Sequence, residues 1–223
     1  MTRFSLPRDE VHVWWSPSAA APAALQNWLS AQEQVRYARF HFEHDRQSFG
    51  AAHAMLRLLL ADYGSAHAWS DFDTGLYGKP FIAGAMHFNL SHTRGLVACA
   101  FSSTAEIGVD VETELRGNDW RSLMPQVLSC AEIAALEALP AVAQQSQFYA
   151  MWTRKEAWSK ALGKGLQVDF RALDVLCREP DVYLAGIETA PPFQAAVACM
   201  QAPAMLTVRR FDWTQAGSCD WLK

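Results

Sequence analysis

Asp110 and Glu112 lie two residues apart in an apolar run that begins at Ile107. Alternate side chains of a β-strand point to the same face, so both carboxylates would share one side of the sheet. Neighbouring carboxylates repel each other unless a cation or a proton lies between them. Mg²⁺ accepts carboxylate oxygens together with phosphate oxygens and water. The pair therefore predicts a magnesium site, and a strand with one solvated face is the alternative.

A second set of charges lies in the segment Trp-Thr-Arg-Lys-Glu-Ala-Trp-Ser-Lys at 152–160. On an α-helix, Trp152, Glu156 and Lys160 would stack along one face, with Lys155 beside them. The alternative is an exposed helix with an ordinary Glu–Lys pair, which is worth about 0.2–0.5 kcal/mol. The apolar and aromatic residues of this segment instead predict a mostly buried helix, in which charged side chains require a reason.

Hydrogen-bond donors are concentrated in a third segment, His-Phe-Asn-Leu-Ser-His-Thr at 87–93, which follows a Gly-Lys-Pro turn at 78–80. Asn, Ser and His side chains at a strand end can donate to phosphate oxygens, and Lys79 can add positive charge. The alternative is a polar strand end without a ligand. Gly163-Lys164-Gly165 is not a phosphate-binding P-loop, because the required spacing of glycines and lysine is absent.

Two long helices and one shorter helix are predicted to carry these segments. Apolar residues recur at helical spacing over Asp45–Tyr63, and a second long helix covers roughly Gln144–Leu162 and stops at Gly163. Between them, Ser129 followed by Glu132 forms a capping box that begins a helix.

Short apolar runs with breaks on either side predict β-strands. They are Val11–Trp15, Met86–Leu90, Leu96–Phe101, Ile107–Val111, Leu173–Cys177, Tyr183–Ile187, Phe193–Cys199 and Met205–Phe211. A polar stretch at 102–106 divides the chain into parts of similar size, 1–104 and 105–223. Helices and strands in both parts predict an α+β fold with short sheets.

The composition excludes several classes of protein. The chain has 223 residues, of which 51% are hydrophobic and 19% are charged, and its formal net charge is −4. A mildly acidic chain lacks the broad basic surface that would attract nucleic acids or anionic membranes, so neither is an expected partner. Five cysteines without a Cys-x-x-Cys pair favour a reducing compartment, and the first ten residues have no apolar signal segment. We therefore expect a cytoplasmic protein.

Four motifs follow one another along the chain: Gly-Lys-Pro at 78–80, Phe-Asn-Leu-Ser-His at 88–92, Ile-Gly-Val-Asp-Val-Glu at 107–112 and Trp-Thr-x-Lys-Glu-Ala-x-x-Lys at 152–160. In this order and at these intervals they resemble the Sfp-type 4′-phosphopantetheinyl transferases. The resemblance is dense over 75–166, looser before this range and thin after it. It implies a pseudo-two-fold monomer of two similar α/β halves, each a short antiparallel sheet with packed helices. Coenzyme A would bind in the cleft between the halves.

The resemblance also implies roles for individual residues. Asp110, Glu112 and Glu156 would bind Mg²⁺. Contacts to coenzyme A would come from Ser91 and His92 to the phosphates, from Lys79 near the 3′-phosphate or adenine, and from Lys155 and Lys160 to the pyrophosphate. In the segment 33–40, Arg36 matches one of two basic residues that relatives often place near the 3′-phosphate. Glu33 stands where the other is expected, and Arg46 is a candidate replacement.

The reaction implied is direct transfer of the 4′-phosphopantetheine group to a serine of an acyl or peptidyl carrier protein, with release of 3′,5′-ADP. Glu156 would take the serine proton, while Lys160 and His92 would stabilise the leaving group. Two alternatives remain open on the sequence. One is a catalytically silent coenzyme A-binding protein of the same fold, and the other is a kinase or nucleotidyl transferase with the same metal chemistry.

An apolar stripe after Glu112 is a candidate docking surface for the carrier protein. It consists of Trp120, Leu123, Met124, Val127 and Leu128, which fall at helical spacing. Core packing is the alternative explanation of this stripe. Relatives often carry a basic residue just before the apolar pair, whereas Gln126 occupies that place here, so we expect docking to depend on apolar contact.

Overall fold

This computed structural model describes residues 3–84, 86–115, 117, 119–177 and 179–215. Its two larger β-sheets each pack against one long helix, and a third sheet has two short strands. The first half contains β1 (Glu10–Pro17), α1 (Ala31–Ala38), α2 (Glu43–Asp62), the short β2 (Asp73–Thr74) and β3 (Pro80–Phe81), β4 (His87–Thr93) and β5 (Leu96–Ser102). The second half contains β6 (Ile107–Thr113), α3 (Trp120–Val127), α4 (Cys130–Glu137), α5 (Ala141–Leu162), β7 (Tyr183–Ile187), β8 (Phe193–Cys199) and β9 (Met205–Arg210). The helices within the described ranges include none that is long and apolar enough to cross a membrane.

The α+β prediction is confirmed, and most predicted elements appear at their predicted positions. Gly163 ends α5 in the left-handed conformation, with φ of 65°. The strand predicted at Leu173–Cys177 is wrong. The Asp174 carboxylate accepts hydrogen bonds from the backbone N–H groups of Leu176 and Cys177 at 2.8 and 3.4 Å, and these local contacts turn the chain.

The two halves repeat one topology. In the first half the strand order is β4-β5-β1, and in the second it is β7-β8-β6. In each of these sets of three, the strand that comes last in the chain lies between the other two. A short helix with a serine capping box precedes the long helix in each half, at Ser30–Glu33 in α1 and at Ser129–Glu132 in α4. The halves are therefore similar in connectivity as well as in size.

A buried ion pair links the helices of the first half. Glu33, the capping-box residue of α1, accepts a hydrogen bond of 2.6 Å from Nε of Arg57 in α2 and lies 2.7 Å from Nδ1 of His53. Arg57 is 1% exposed and also donates to the carbonyl oxygens of Ala68 and Ser70, at 2.8 and 2.9 Å. One buried cation thus ties α1 and α2 to the loop that follows.

The same arrangement occurs in the second half. Glu132 lies 2.7 Å from Nζ of Lys155, and both side chains are completely buried. The Lys155 ammonium also donates to the carbonyl oxygens of Phe170 and Leu173, at 2.7 and 2.6 Å. A capping-box glutamate, a buried cation on the long helix and two loop carbonyls are therefore common to both halves.

The chain returns to the first sheet at its end. β9 pairs in parallel with β1, which lies between β5 and β9. Next to it, the indole Nε1 of Trp213 donates to Ser16 Oγ at 2.7 Å. The division predicted between residues 104 and 105 therefore does not coincide with the division between the two sheets.

A close approach between β6 and α5 sets the geometry of the cleft. A Cβ atom on Gly108 would lie 2.0 Å from the carbonyl oxygen of Ala157 and 2.5 Å from the backbone nitrogen of Ala161. Only glycine permits this contact between backbones. The contact brings the middle of β6, with Asp110, against the last turns of α5, with Lys160.

Candidate active site

Polar side chains join the two halves where β4 runs beside β6. Asn89 Oδ1 accepts a hydrogen bond of 2.9 Å from the backbone N–H of Val109, and Ser91 Oγ accepts one of 3.3 Å from Val111. Alternate residues of the two strands are therefore matched in the same direction. Two motif residues that the sequence suggested for phosphate binding thus also hold the halves together.

The centre of the cleft is a cluster of two buried residues, Asp110 and Ser91, and the half-buried Lys160. Lys160 Nζ lies 2.6 Å from Asp110 Oδ1, 2.9 Å from Ser91 Oγ and 3.2 Å from the carbonyl oxygen of Val109. Ser91 Oγ donates to Asp110 Oδ1 at 2.9 Å. Asp110 is 4% exposed, and its Oδ2 atom is buried without a hydrogen-bond partner among the described residues. Such an oxygen is suited to a further cation or donor.

The other two predicted metal ligands lie near this cluster but belong to different walls. Glu112 is buried, two residues after Asp110 in β6. Glu156 lines a cavity of about 260 Å³ together with Lys160 and Asn89. Among the described residues, no three His, Cys, Asp or Glu side chains form a group that could hold a metal ion by themselves. Two carboxylates of β6 fit a hard cation, which would need oxygens from elsewhere to complete its coordination.

Lys79 lies on the wall of the same cavity, in the Gly-Lys-Pro turn. Its ammonium donates to Glu106 Oε2 at 2.6 Å and to the carbonyl oxygen of Ile107 at 3.0 Å. Burial raises the pKa of Glu106, but Lys79 and then His87 outweigh it and hold that pKa below its usual value. The sequence did not suggest Glu106, which lies in a polar linker without a motif, yet this residue fixes Lys79 at the beginning of β6.

His92 occupies the opposite end of the cleft. Burial of the ring, and then the nearby positive charges of His53, Lys160 and Arg36, lower its pKa to about 4. At neutral pH it is therefore an uncharged imidazole. Arg36 lies over the ring of Phe49 at 5.0 Å, and this ring meets His92 edge to face at 6.3 Å.

The basic residues considered for the 3′-phosphate have different surroundings. Arg36 is exposed, whereas Glu33 is buried against His53. Arg46 forms an ion pair with Glu43 one turn earlier in α2. Of these side chains, Arg36 is the one that the structure brings to the neighbourhood of His92.

Lys155 requires a correction. The sequence suggested that it neutralises pyrophosphate, but its ammonium is completely buried on Glu132, on the side of α5 that packs against α4 and the following loop. Burial lowers the pKa of this ammonium even beside its carboxylate partner. Lys155 and Glu156 are neighbours in sequence, but consecutive side chains of a helix point about 100° apart. The two side chains therefore lie on different faces of α5.

The predicted docking stripe is only partly available. Trp120, Val127 and Leu128 are buried and pack with Phe148 and its neighbours. Leu123 and Met124 are half-buried at the edge of the same cluster. The alternative of core packing therefore accounts for three of the five stripe residues, and an interface would have to use the other two.

Comparison with known proteins identifies the fold and its chemistry. The profile of the 4′-phosphopantetheinyl transferase superfamily matches residues 106–201. The 4′-phosphopantetheinyl transferase HetI of Nostoc sp. is 33% identical over 221 residues, which cover 94% of this chain and 92% of that protein. The chain belongs to the 4′-phosphopantetheinyl transferase superfamily. Another 4′-phosphopantetheinyl transferase, from Bacillus subtilis, is 30% identical over 165 residues, covering 73% of this chain and 72% of that protein. Sfp of Bacillus subtilis strain 168 is 27% identical over 188 residues, covering 78% and 83%.

Membership of this superfamily confirms the resemblance inferred from the four motifs. It makes the protein a transferase that moves the phosphopantetheine group to carrier proteins, with coenzyme A as its substrate. The metal, the roles of single residues and the carrier surface are separate questions, because they depend on the geometry of this particular cleft.

Proposed function

We propose that the cleft between the halves carries out Mg²⁺-dependent transfer of the 4′-phosphopantetheine group from coenzyme A to a carrier-protein serine. The observation that supports this most directly is the cluster in which Asp110 meets Lys160 at 2.6 Å and Ser91 at 2.9 Å. A buried carboxylate, an ammonium and a hydroxyl converge there from both halves. Such a set can bind a metal–pyrophosphate complex, because it offers both an anionic oxygen and cationic donors.

The two carboxylates of β6 are the proposed protein ligands of Mg²⁺. Asp110 Oδ2, which is buried and accepts no hydrogen bond from the described residues, is the atom best prepared for it. Glu156 is the proposed third ligand, from the wall of the small cavity. When bound, Mg²⁺ would neutralise pyrophosphate charge and stabilise the charge that develops during transfer.

The remaining groups bind and orient coenzyme A. Lys160, already positioned beside Ser91 and Asp110, would donate to the pyrophosphate as its charge increases. Lys79 would contact the 3′-phosphate or adenine, and Arg36 the 3′-phosphate. His92 would act as a neutral hydrogen-bond donor to a phosphate oxygen, because its low pKa keeps it uncharged. The Ser91 hydroxyl would hold Asp110 in place in the absence of ligand, and would donate to a phosphate oxygen once coenzyme A is bound.

The transfer step requires one proton acceptor. The carrier serine oxygen forms a bond to the β-phosphorus, and the bond from this phosphorus to the bridging oxygen breaks. The electron pair leaves with 3′,5′-ADP, and Lys160 and His92 would stabilise it. Glu156 would accept the serine proton and release it to solvent. No covalent enzyme intermediate is needed.

The carrier protein would approach near α3. Leu123 and Met124 are the half-buried members of the apolar stripe, and they are the residues proposed for contact. A single copy of the chain contains the whole cluster, so we propose that it acts as a monomer. A cytoplasmic location would give it access to coenzyme A and to carrier proteins.

Intact-mass spectrometry tests the proposal. The protein would be incubated with Mg²⁺, an apo-carrier and either coenzyme A or ATP, and the carrier mass would be recorded. We expect a gain of one phosphopantetheine group with coenzyme A and no gain with ATP. Modification by ATP would favour a kinase or nucleotidyl transferase. Binding of coenzyme A without modification of any carrier in an acyl, polyketide and peptidyl panel would favour a silent coenzyme A-binding protein.

A further inference from the structure

A cavity of about 410 Å³ lies on the far side of α5 from the cleft. Arg154 and Trp158 of this helix line it, whereas Glu156 and Lys160 line the cavity of the cleft. Side chains two positions apart on an α-helix point about 200° apart, so the two pairs lie on opposite faces of α5. The other walls come mainly from the segment that precedes β7 and from the beginning of β7, an outer strand of the second sheet. This cavity is therefore separate from the proposed transfer site.

Arg154 presents a half-buried positive charge to this cavity. Its Nη1 atom donates to the carbonyl oxygen of Ala150, one turn earlier in α5, at 3.2 Å. Its Nη2 atom would lie 3.3 Å from a Cβ atom on Gly186, so the guanidinium packs against β7. Burial lowers the pKa of Arg154, and no carboxylate among the described residues offsets this effect. Because a guanidinium has five N–H donors and a buried charge is costly without a partner, this group is suited to an anionic ligand group.

Negative charges also line the cavity, at Asp174 and Glu179, which are both half-buried. The hydrogen bond from the backbone N–H of Leu176 holds the pKa of Asp174 below its usual value, so this carboxylate is ionised at neutral pH. A carboxylate can accept about four hydrogen bonds, and Asp174 can therefore also accept one from a ligand. A simple anion would meet both carboxylates, whereas a ligand with charges of both signs would match the whole cavity.

Apolar and aromatic side chains supply the remaining surface. Trp158 is 8% exposed, and Tyr183 and Leu184 are half-buried. Leu176 adds an apolar side chain that is 48% exposed. Sites for small molecules combine such walls with a few polar groups in a volume of about 300–1,000 Å³. The cavity therefore fits a small ligand that has an apolar body next to its charged groups.

We propose that this cavity binds a free α-amino acid with a large apolar side chain. The carboxylate of the amino acid would accept two parallel hydrogen bonds from Arg154. Its ammonium would donate to Asp174 and Glu179, and its side chain would pack against Trp158 and Tyr183. Such a ligand would contact α5 on the face opposite Glu156, so it would bind without competing with coenzyme A.

Isothermal titration calorimetry on the full chain tests the proposal. The ligands are L-phenylalanine, L-tryptophan and L-leucine, together with 3-phenylpropanoate, which lacks the ammonium, and phenethylamine, which lacks the carboxylate. We expect L-phenylalanine to bind at least about ten-fold more tightly than either analogue, because each analogue loses one charge-assisted contact. Saturating coenzyme A should change its Kd by less than about two-fold, because the two sites are separate.

The variant Arg154→Gln tests the guanidinium. The Kd of L-phenylalanine should rise about ten- to a hundred-fold, and the Kd of phenethylamine should change by less than about two-fold. The variant should melt near the wild-type temperature and transfer phosphopantetheine within about two-fold of the wild-type rate, because Arg154 lies outside the cleft. The exposed Arg8→Gln is the matched control and should leave both Kd values unchanged.

Several results would overturn the site. They are the absence of binding by all three amino acids, equal affinity for L-phenylalanine and 3-phenylpropanoate, and an unchanged Kd in folded Arg154→Gln. Competition by coenzyme A would place the amino acid in the cleft and would likewise exclude this cavity. The titrations need neither carrier nor transfer, so their outcome is independent of the proposed function.

Discussion

Lys160 is the residue that links the Asp110 carboxylate of the second half to the Ser91 hydroxyl of the first. Without substrate, its ammonium compensates Asp110 and holds Ser91 at the same time. A phosphorylated ligand would compete for this ammonium and free carboxylate oxygens for a cation. The cluster is therefore arranged for exchange of partners rather than for stability alone, since replacement of a buried ion pair by apolar groups is often neutral or stabilising.

Replacement of Asp110 tests the metal site directly. We expect Asp110→Ala to lower Mg²⁺-supported transfer by at least about a hundred-fold, because an electrostatic partner of the reacting groups is lost. The fold should remain, since the apolar face of β6 is unchanged. Transfer would be measured by carrier mass over a range of Mg²⁺ concentrations, with the exposed Asp71→Ala as the control. Wild-type turnover in Asp110→Ala would remove this residue from the site.

Glu156 has two proposed tasks, metal ligand and base, and Glu156→Gln separates them. General-base catalysis contributes about 10² to 10⁴ in rate, so kcat should fall by at least the lower figure. Binding of coenzyme A should persist through Lys160 and His92. If Glu156 is the base, the acidic limb of the pH–rate profile should flatten in the variant.

Magnesium titration distinguishes the alternatives for Glu156. A residue that is only a ligand would be compensated by raised Mg²⁺, and the acidic limb would stay in place. A variant with wild-type kcat at ordinary Mg²⁺ would contradict both tasks. An ordinary Glu156–Lys160 pair on the helix surface would then explain the presence of Glu156.

At the level of elements, a buried cation on the long helix of each half binds a capping-box glutamate of the preceding helix and two loop carbonyls. Lys155→Met would leave Glu132 buried without its ammonium partner. Breaking such a pair costs about 3–5 kcal/mol, and we expect the free energy of unfolding in urea to fall by this amount. The double variant Lys155→Met/Glu132→Gln should recover part of the loss, because Gln is uncharged. A loss below about 1 kcal/mol in Lys155→Met would contradict the assignment, since it would match an exposed pair.

The equivalent pair in the first half predicts sensitivity to acid. Burial raises the pKa of Glu33, but hydrogen bonds from His53 and Arg57 outweigh it and lower that pKa from 4.5 to about 2. Because the folded-state pKa lies below the unfolded value, Glu33 contributes stability above about pH 4.5 and loses it as the pH falls toward 2. The contribution is on the order of 3 kcal/mol.

Urea unfolding at neutral pH and at about pH 3 tests this contribution. The wild-type free energy of unfolding should decrease between these conditions more steeply than that of Glu33→Gln, which has no carboxylate to protonate. Glu43→Gln, at an exposed position of α2, is the matched control. Identical slopes for wild type and Glu33→Gln would contradict the pKa assignment.

Local patterns predicted most elements well, apart from the strand expected at Leu173–Cys177, and the side chains that were misassigned are those whose surroundings a distant partner decides. The runs at Tyr183–Ile187 and Phe193–Cys199 became strands with those bounds, since alternating packing and chain breaks are local signals. The pyrophosphate role given to Lys155 came from the family resemblance, and a motif does not report the buried partner that α4 supplies. Trp120 and Leu128 could not be assigned to core or surface without knowing which helix covers them.

At the scale of the molecule, two similar halves share one cleft and one sheet. Asn89 and Ser91 join the halves at the site, and β9 joins them at the far edge of the first sheet. The sequence predicted a division into parts of similar size, but the pairing of β9 with β1 spans nearly the whole chain and has no local signal. We therefore expect the two halves to unfold in one cooperative transition.

Trp213 provides the test of this coupling. It is 9% exposed, stacks on Trp28 at 6.4 Å, meets Phe211 at 4.9 Å and donates to Ser16 at 2.7 Å. Trp213→Ala should cost about 3–5 kcal/mol. For a chain of this length, the melting temperature should fall by roughly 6–20 °C in a single transition. The exposed Trp69→Ala is the control and should change it little.

The same variant should leave the chemistry intact below its melting temperature. Trp213 packs beside β1, while the Asp110 cluster lies beyond β4 at the opposite edge of the first sheet, so transfer rate and coenzyme A affinity should stay within about two-fold of wild type. Calorimetry and the carrier mass assay measure the two effects on one preparation. Two separate transitions in Trp213→Ala, with the second half melting at the wild-type temperature, would contradict the coupling, because they would mean that β9 stabilises only the sheet it joins.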